Sequence, residues 1–164
     1  MKHTISALVE NHFGVLSRVS GLFSARGFNI DSLAVGETED PTVSRMTIVV
    51  DADERTLEQV KKQLNRLIDV IKVQEVPHDD LLEREIVLLR VGFTPKNRPE
   101  ILEAVNAFQG KVLDASENTL TIEMTGDQAK VRSVFELLKP YGILEVVRSG
   151  RIALSRKGKL SSKS

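Results

Sequence analysis

The chain has no cysteine, no tryptophan and one tyrosine in 164 residues. Without cysteine there are no disulfides and no thiolate metal ligands, which excludes a disulfide scaffold and a cysteine-based zinc module. Neither sign of charge is in excess, because 23 basic residues balance 23 acidic ones. A protein held to nucleic acid mainly by phosphate neutralisation carries a basic surplus, so no nucleic-acid partner is expected. No apolar run has the length of a membrane helix, and no membrane partner is expected. The opening MKHTISALVENH is too polar for a signal peptide, which is compatible with a reducing cytoplasm. Aromatics are scarce at 4%, while 41% of residues are hydrophobic, so a core is expected to rest on Val, Leu and Ile.

Periodicity divides what is present. Lys2–Glu10 alternates, with Ile5, Ala7 and Val9 on one face, which is strand period. From Val15 the period changes to a helical stripe of Val15, Leu16, Val19, Leu22 and Phe23, ended by Gly27. Residues 29–37 and 44–50 read as strands around a turn at Asp40-Pro41. DADERTLEQVKKQLNRLID reads as a helix with Leu57, Val60, Leu64, Leu67 and Ile68 inward, and Val70–Val76 as a strand. After the polar stretch PHDDLLERE the same order returns. Strands are expected at 84–93, Lys111–Ala115, 119–125 and 142–147, with helices from Pro99 and after a capping Asp127.

The fold class is therefore α+β: two βαββαβ units in tandem, each a ferredoxin-like sandwich of two helices on one antiparallel sheet. The expected boundaries are 1–77 for the first domain, 78–83 for a linker, 84–149 for the second domain and 150–164 for a basic, partly disordered tail. Each small sheet is expected to leave a bare face and an open edge, and edge pairing between copies would answer both. A homodimer is expected on that ground.

The stretch ENHFGVLSRVSGLFSARGFNID, residues 10–31, runs from a strand end through a glycine turn into a helix. The first N–H groups of a helix lack partners and carry partial positive charge, so a carboxylate fits there without a basic side chain. Gly14 permits close approach, Asn11 offers a donor and an acceptor, and Val15, Leu16 and Ile30 supply apolar surface. An Asn at a strand end and a Gly at a helix start are also ordinary turn chemistry, so both readings stand on these residues alone. Asn29 opens the second strand, at the far end of the sheet from Asn11. The two meet only if two chains pair antiparallel through that strand.

ISALVENHFGVLSRVSGLFSARGFNIDSLAVGETEDPTVSRMTIVV resembles the N-terminal ACT domain of the regulatory (small) subunit of acetohydroxyacid synthase, or acetolactate synthase. LEREIVLLRV and EVVRSGRIALSRKGK carry the resemblance through the second half. The resemblance implies a non-catalytic, bacterial, cytoplasmic regulatory subunit. Its partner would be a catalytic large subunit that condenses two pyruvates, or pyruvate with 2-ketobutyrate, using thiamine diphosphate, magnesium and FAD; no cofactor is expected in this chain. It implies activation of that subunit and feedback inhibition by valine or a related branched-chain amino acid at the ACT dimer interface. The implied effector residues are Asn11, Gly14, Val15 and Leu16 of one chain with Asn29 and Ile30 of the other, and His12 and Phe13 lie in the same loop.

Catalytic and metal roles are not expected. His3, His12 and His78 are scattered without metal spacing, and Ser17, Ser20 and Ser24 have no paired base. An RNA-binding module of this fold needs aromatics on its central strands, and residues 44–50 have none. The rival that stays open is a stand-alone ACT-type amino-acid sensor acting on another enzyme or on transcription.

Overall fold

The computed structural model describes residues 1–157. They form two compact units, Met1–Leu82 with the segment from Arg151 onward, and Glu83–Gly150. Among the described residues no helix is long and apolar enough to cross a membrane.

The first unit contains β1 (Lys2–Glu10), α1 (Val15–Ala25), β2 (Ile30–Glu37), β3 (Val43–Asp51), α2 (Glu54–Asn65) and β4 (Val70–Val76). Its antiparallel sheet has the order β2-β3-β1-β4, which leaves β2 bonded on one side only among the described residues. Strand alternation puts Ile5, Ala7, Val9, Met46, Ile48 and Val50 on one face. There they meet Val15, Val19 and Phe23 of α1 and Leu57, Val60 and Leu64 of α2. The Asp53 carboxylate caps α2 by accepting from the Thr56 N–H at 2.7 Å, a bond that also holds its pKa below the usual carboxylate range.

Two expectations are corrected here. The second helix stops at Asn65 and does not run on to Asp69. The Arg66 and Leu67 N–H groups bond to the Gln63 and Leu64 carbonyls, tightening the last turn so that the chain can enter β4. Ile68, expected on the inner stripe, is consequently 91% exposed. The other face of this sheet is also not bare: Thr4, Ser6, Thr47 and Val49 are all buried.

Residues 78–83, expected as a linker, form a 3-10 turn at His78–Asp80 and the start of β5 (Leu81–Gly92). The second unit continues with α3 (Arg98–Ala107), β6 (Lys111–Ala115), β7 (Thr119–Gly126), α4 (Gln128–Leu138) and β8 (Ile143–Arg148). Its strand order is β6-β7-β5-β8, the same plan as in the first unit. Val87, Leu89, Val91, Leu120, Ile122 and Met124 face Ile101, Val105, Val131, Val134 and Leu138 of the helices. Asp127 caps α4 as the sequence reading expects, accepting from the Lys130 N–H at 2.9 Å.

Residues 152–155, expected within a basic tail, form a short strand, β9 (Ile152–Ser155). The segment is tied to the first unit at both ends. The Arg151 N–H donates to Ser32 Oγ at 2.9 Å. The Lys157 N–H donates to Asp80 at 3.0 Å, and the Ser155 hydroxyl donates to the other oxygen of that carboxylate. The Ser155 bond is the main cause holding Asp80 below the usual carboxylate range. The rest of the expected disordered tail, 158–164, lies outside the described residues.

Candidate functional site

The turn between β1 and α1 is fixed from both sides. Glu10 N–H donates to Asp69 O at 2.8 Å, and Asn11 N–H donates to Thr42 O at 2.8 Å. The Asn11 side-chain amide nitrogen donates to Pro41 O at 2.9 Å and to Glu37 Oε1 at 3.2 Å. That nitrogen, expected from sequence to meet a ligand, thus holds the turn against the β2–β3 hairpin.

Gly14 occupies the N-cap of α1 at φ 84°, ψ −9°. A side chain is strained at this φ, which explains glycine here better than ligand approach alone. Among the described residues no side chain caps α1, and its first turn holds no acidic residue. The helix therefore presents its leading N–H groups and their partial positive charge at an exposed position. Phe13 is fully exposed and Leu16 half-exposed. Val15, expected to line a pocket, is only 4% exposed and belongs to the core.

Asn29 and Ile30 lie at the opposite end of the sheet, as the topology requires. Ile30 stands opposite Val50, whereas Glu37, which bonds Asn11, stands opposite Ser44. At roughly 3.3 Å per residue the two ends of β2 are about 23 Å apart. Asn29 is exposed, and Ile30 packs half-buried against the core. Within one chain the two groups of residues therefore lie apart, at the two ends of the edge strand β2.

His12 has partners that sequence reasoning missed. Its Nε2 lies 2.9 Å from Glu10 Oε2 and 2.9 Å from Asp69 Oδ1. The other Asp69 oxygen accepts from the Arg18 guanidinium, and Asp69 is 5% exposed. The hydrogen bond to Glu10 raises the His12 pKa most, followed by the Phe13 carbonyl near Nδ1; partial desolvation opposes both. Nothing in the spacing of His12 and Asp69 marks them as neighbours.

The comparisons decide the family. Residues 5–72 match the model described as the AHAS small subunit-like ACT domain, and residues 84–157 the model described as the small subunit of acetolactate synthase. A probable acetolactate synthase small subunit of Archaeoglobus fulgidus is 51% identical over 159 residues, covering 97% of this chain and 99% of that protein. The chain belongs to the acetolactate synthase small-subunit family. The acetolactate synthase small subunit of Mycobacterium leprae is 53% identical, covering 94% of this chain and 91% of its own. The crystal structure of the acetolactate synthase small subunit from Thermotoga maritima superposes with a TM-score of 0.88 at 39% identity, covering 95% of this chain and 98% of that one. The small-subunit assignment makes this chain regulatory and not itself catalytic. It also bears out the two-sandwich architecture with an ACT domain first.

Proposed function

We propose that this small subunit binds a catalytic large subunit of acetolactate synthase, raises its activity and makes it sensitive to a branched-chain amino acid, valine foremost. The thiamine diphosphate, magnesium and FAD chemistry resides in that partner. The observation that carries the reading is the uncapped, exposed N-terminus of α1 behind Gly14, set beside the end of an open edge strand.

Two copies pairing antiparallel through β2 bring residues 11–16 of one chain to Asn29 and Ile30 of the other. The effector carboxylate takes the leading N–H groups of α1, where the helix dipole favours negative charge. Asn29 and the Asn11 carboxamide oxygen serve its polar groups, and the side chain rests on Leu16 and the partner's Ile30. A ligand held by both chains stabilises one arrangement of the dimer. It shifts the catalytic subunit only by its differential affinity for two states, typically about 1–3 kcal/mol.

Calorimetric titration of the purified chain with valine, leucine, isoleucine and alanine tests this. Saturable binding of valine near one site per chain, with alanine much weaker, is expected. Equal binding of all four, or of none, contradicts the assignment.

A further inference from the structure

We propose that Glu10, His12 and Asp69 bind a divalent first-row transition-metal ion of the zinc class. The three donor atoms come from the end of β1, the following turn and the loop before β4, and lie within 4.8 Å of one another. The proposal departs from the metal-free expectation drawn from the scattered histidines. Spacing exposes only the Glu10-x-His12 pair; the third donor arrives through the fold, where Glu10 N–H donates to Asp69 O and locks the loop to the strand end.

The geometry fits an ion with little rearrangement. Both His12 Nε2 to carboxylate distances are 2.9 Å. Around a tetrahedral zinc ion with bonds of about 2.0–2.1 Å, neighbouring donors stand about 3.3 Å apart, so each of these pairs opens by a few tenths of an ångström. The remaining position is left to water.

The surrounding contacts are those that orient ligands. His12 Nδ1 lies 3.2 Å from the Phe13 carbonyl, a partner that keeps a proton on Nδ1 and orients the ring when Nε2 ligates an ion. When an ion binds, the Nε2 proton that serves Glu10 is released and the ion takes its place among the three donor atoms. Arg18 holds the second oxygen of the buried Asp69 and fixes the direction of the first. Glu10 and His12 are about half-exposed, so an ion enters without opening the core. With His12 neutral, the two carboxylates and Arg18 sum to one negative charge. One imidazole nitrogen among two carboxylate oxygens selects transition ions over magnesium and calcium. A bound ion would staple residues 10–13 to the loop before β4 and so steady the start of α1. This inference does not depend on the effector reading.

The test is zinc titration of the chelator-stripped full chain against a chromophoric chelator, with metal counted by elemental analysis. One zinc per chain is expected. His12→Gln, at an exposed position, should weaken zinc binding at least tenfold with an unchanged circular dichroism spectrum. His3→Gln and His78→Gln should bind as the parent does. Zinc should also shift the His12 imidazole resonances and leave those of His3 and His78 in place. Absence of stoichiometric zinc overturns the proposal, as does binding undiminished in His12→Gln. Loss of binding in His3→Gln instead would place the ion at the His3–Glu75 pair and equally overturn it.

Discussion

Gly14 separates backbone geometry from ligand charge, because alanine and aspartate test them differently. At φ 84° any L side chain pays for a left-handed backbone, at about 1–2 kcal/mol. Space is not the obstacle, since a Cβ there would meet only the Arg18 guanidinium at 3.8 Å. Gly14→Ala should therefore lose about 1–2 kcal/mol of stability and keep most of its valine affinity. Aspartate tolerates this conformation better and can cap α1, which has no side-chain cap, so Gly14→Asp should be the more stable of the two. Its carboxylate, however, would occupy the anion's position. Two like charges about 4 Å apart repel by about 4 kcal/mol at an effective dielectric constant near 20. Even with strong solvent screening, at least a tenfold loss of valine affinity should remain. Denaturant melts and calorimetry thus predict opposite orders: parent, Asp, Ala for stability, and parent, Ala, Asp for binding. Valine binding by Gly14→Asp within threefold of the parent would refute the anion-cradle reasoning. Equal loss in both variants would assign the effect to backbone strain.

Three further outcomes are expected from the fold. Phe23 is fully buried and meets Phe28 edge to face at 6.1 Å, so Phe23→Ala should cost the first unit about 3–5 kcal/mol in urea unfolding. Ala34 lies mid-strand on the open edge β2, and Ala34→Lys would place like charges near one another in an antiparallel β2 pair. Its dimer dissociation constant, followed by sedimentation velocity, should rise at least tenfold. Asp80 has a lowered folded pKa, so its stabilising contribution is present above the unfolded value, about 3.9, and is lost as pH falls through the lower folded value. Amide exchange at Arg156 and Lys157, corrected for intrinsic rates, should be accelerated by Asp80→Asn at neutral pH. In the parent it should accelerate only well below pH 4.

Much of the architecture was written in local periodicity. The alternation of Lys2–Glu10 and the stripe of Val15, Val19 and Phe23 both carry a clean period, and both elements form where that period places them. Boundaries were legible where chemistry punctuates the chain, as at Asp127 and Gly27. The end of α2 was not, because NRLID offers neither glycine nor proline, and the helix yields there to the path into β4. β9 was hidden by its four-residue length inside a basic segment. Burial of Thr4, Ser6 and Thr47 was illegible because polar residues at alternate strand positions look like a solvated face.

The site was legible in part. A helix terminus behind a glycine could be read from residues 10–16, and the opposite placement of Asn29 followed from topology. The engagement of Asn11 by the hairpin and the convergence of Asp69 on His12 could not be read, since both join residues distant in sequence. Val15 shows the limit of face assignment at a helix start, where one residue early or late exchanges pocket for core.

The central claim is a site shared between two chains, and subunit mixing tests it most directly. Gly14→Asp disables the turn half-site, and Asn29→Asp disables the other. Each variant alone should bind valine at least tenfold more weakly than the parent, with no site of parental affinity. In mixed dimers one site receives both defects and the other receives none. Equal co-expression should therefore restore about one quarter of a site per chain, since about half of the dimers are mixed. Recovery near that value is the predicted result, and mixed dimers with no recovered valine binding would contradict a shared site.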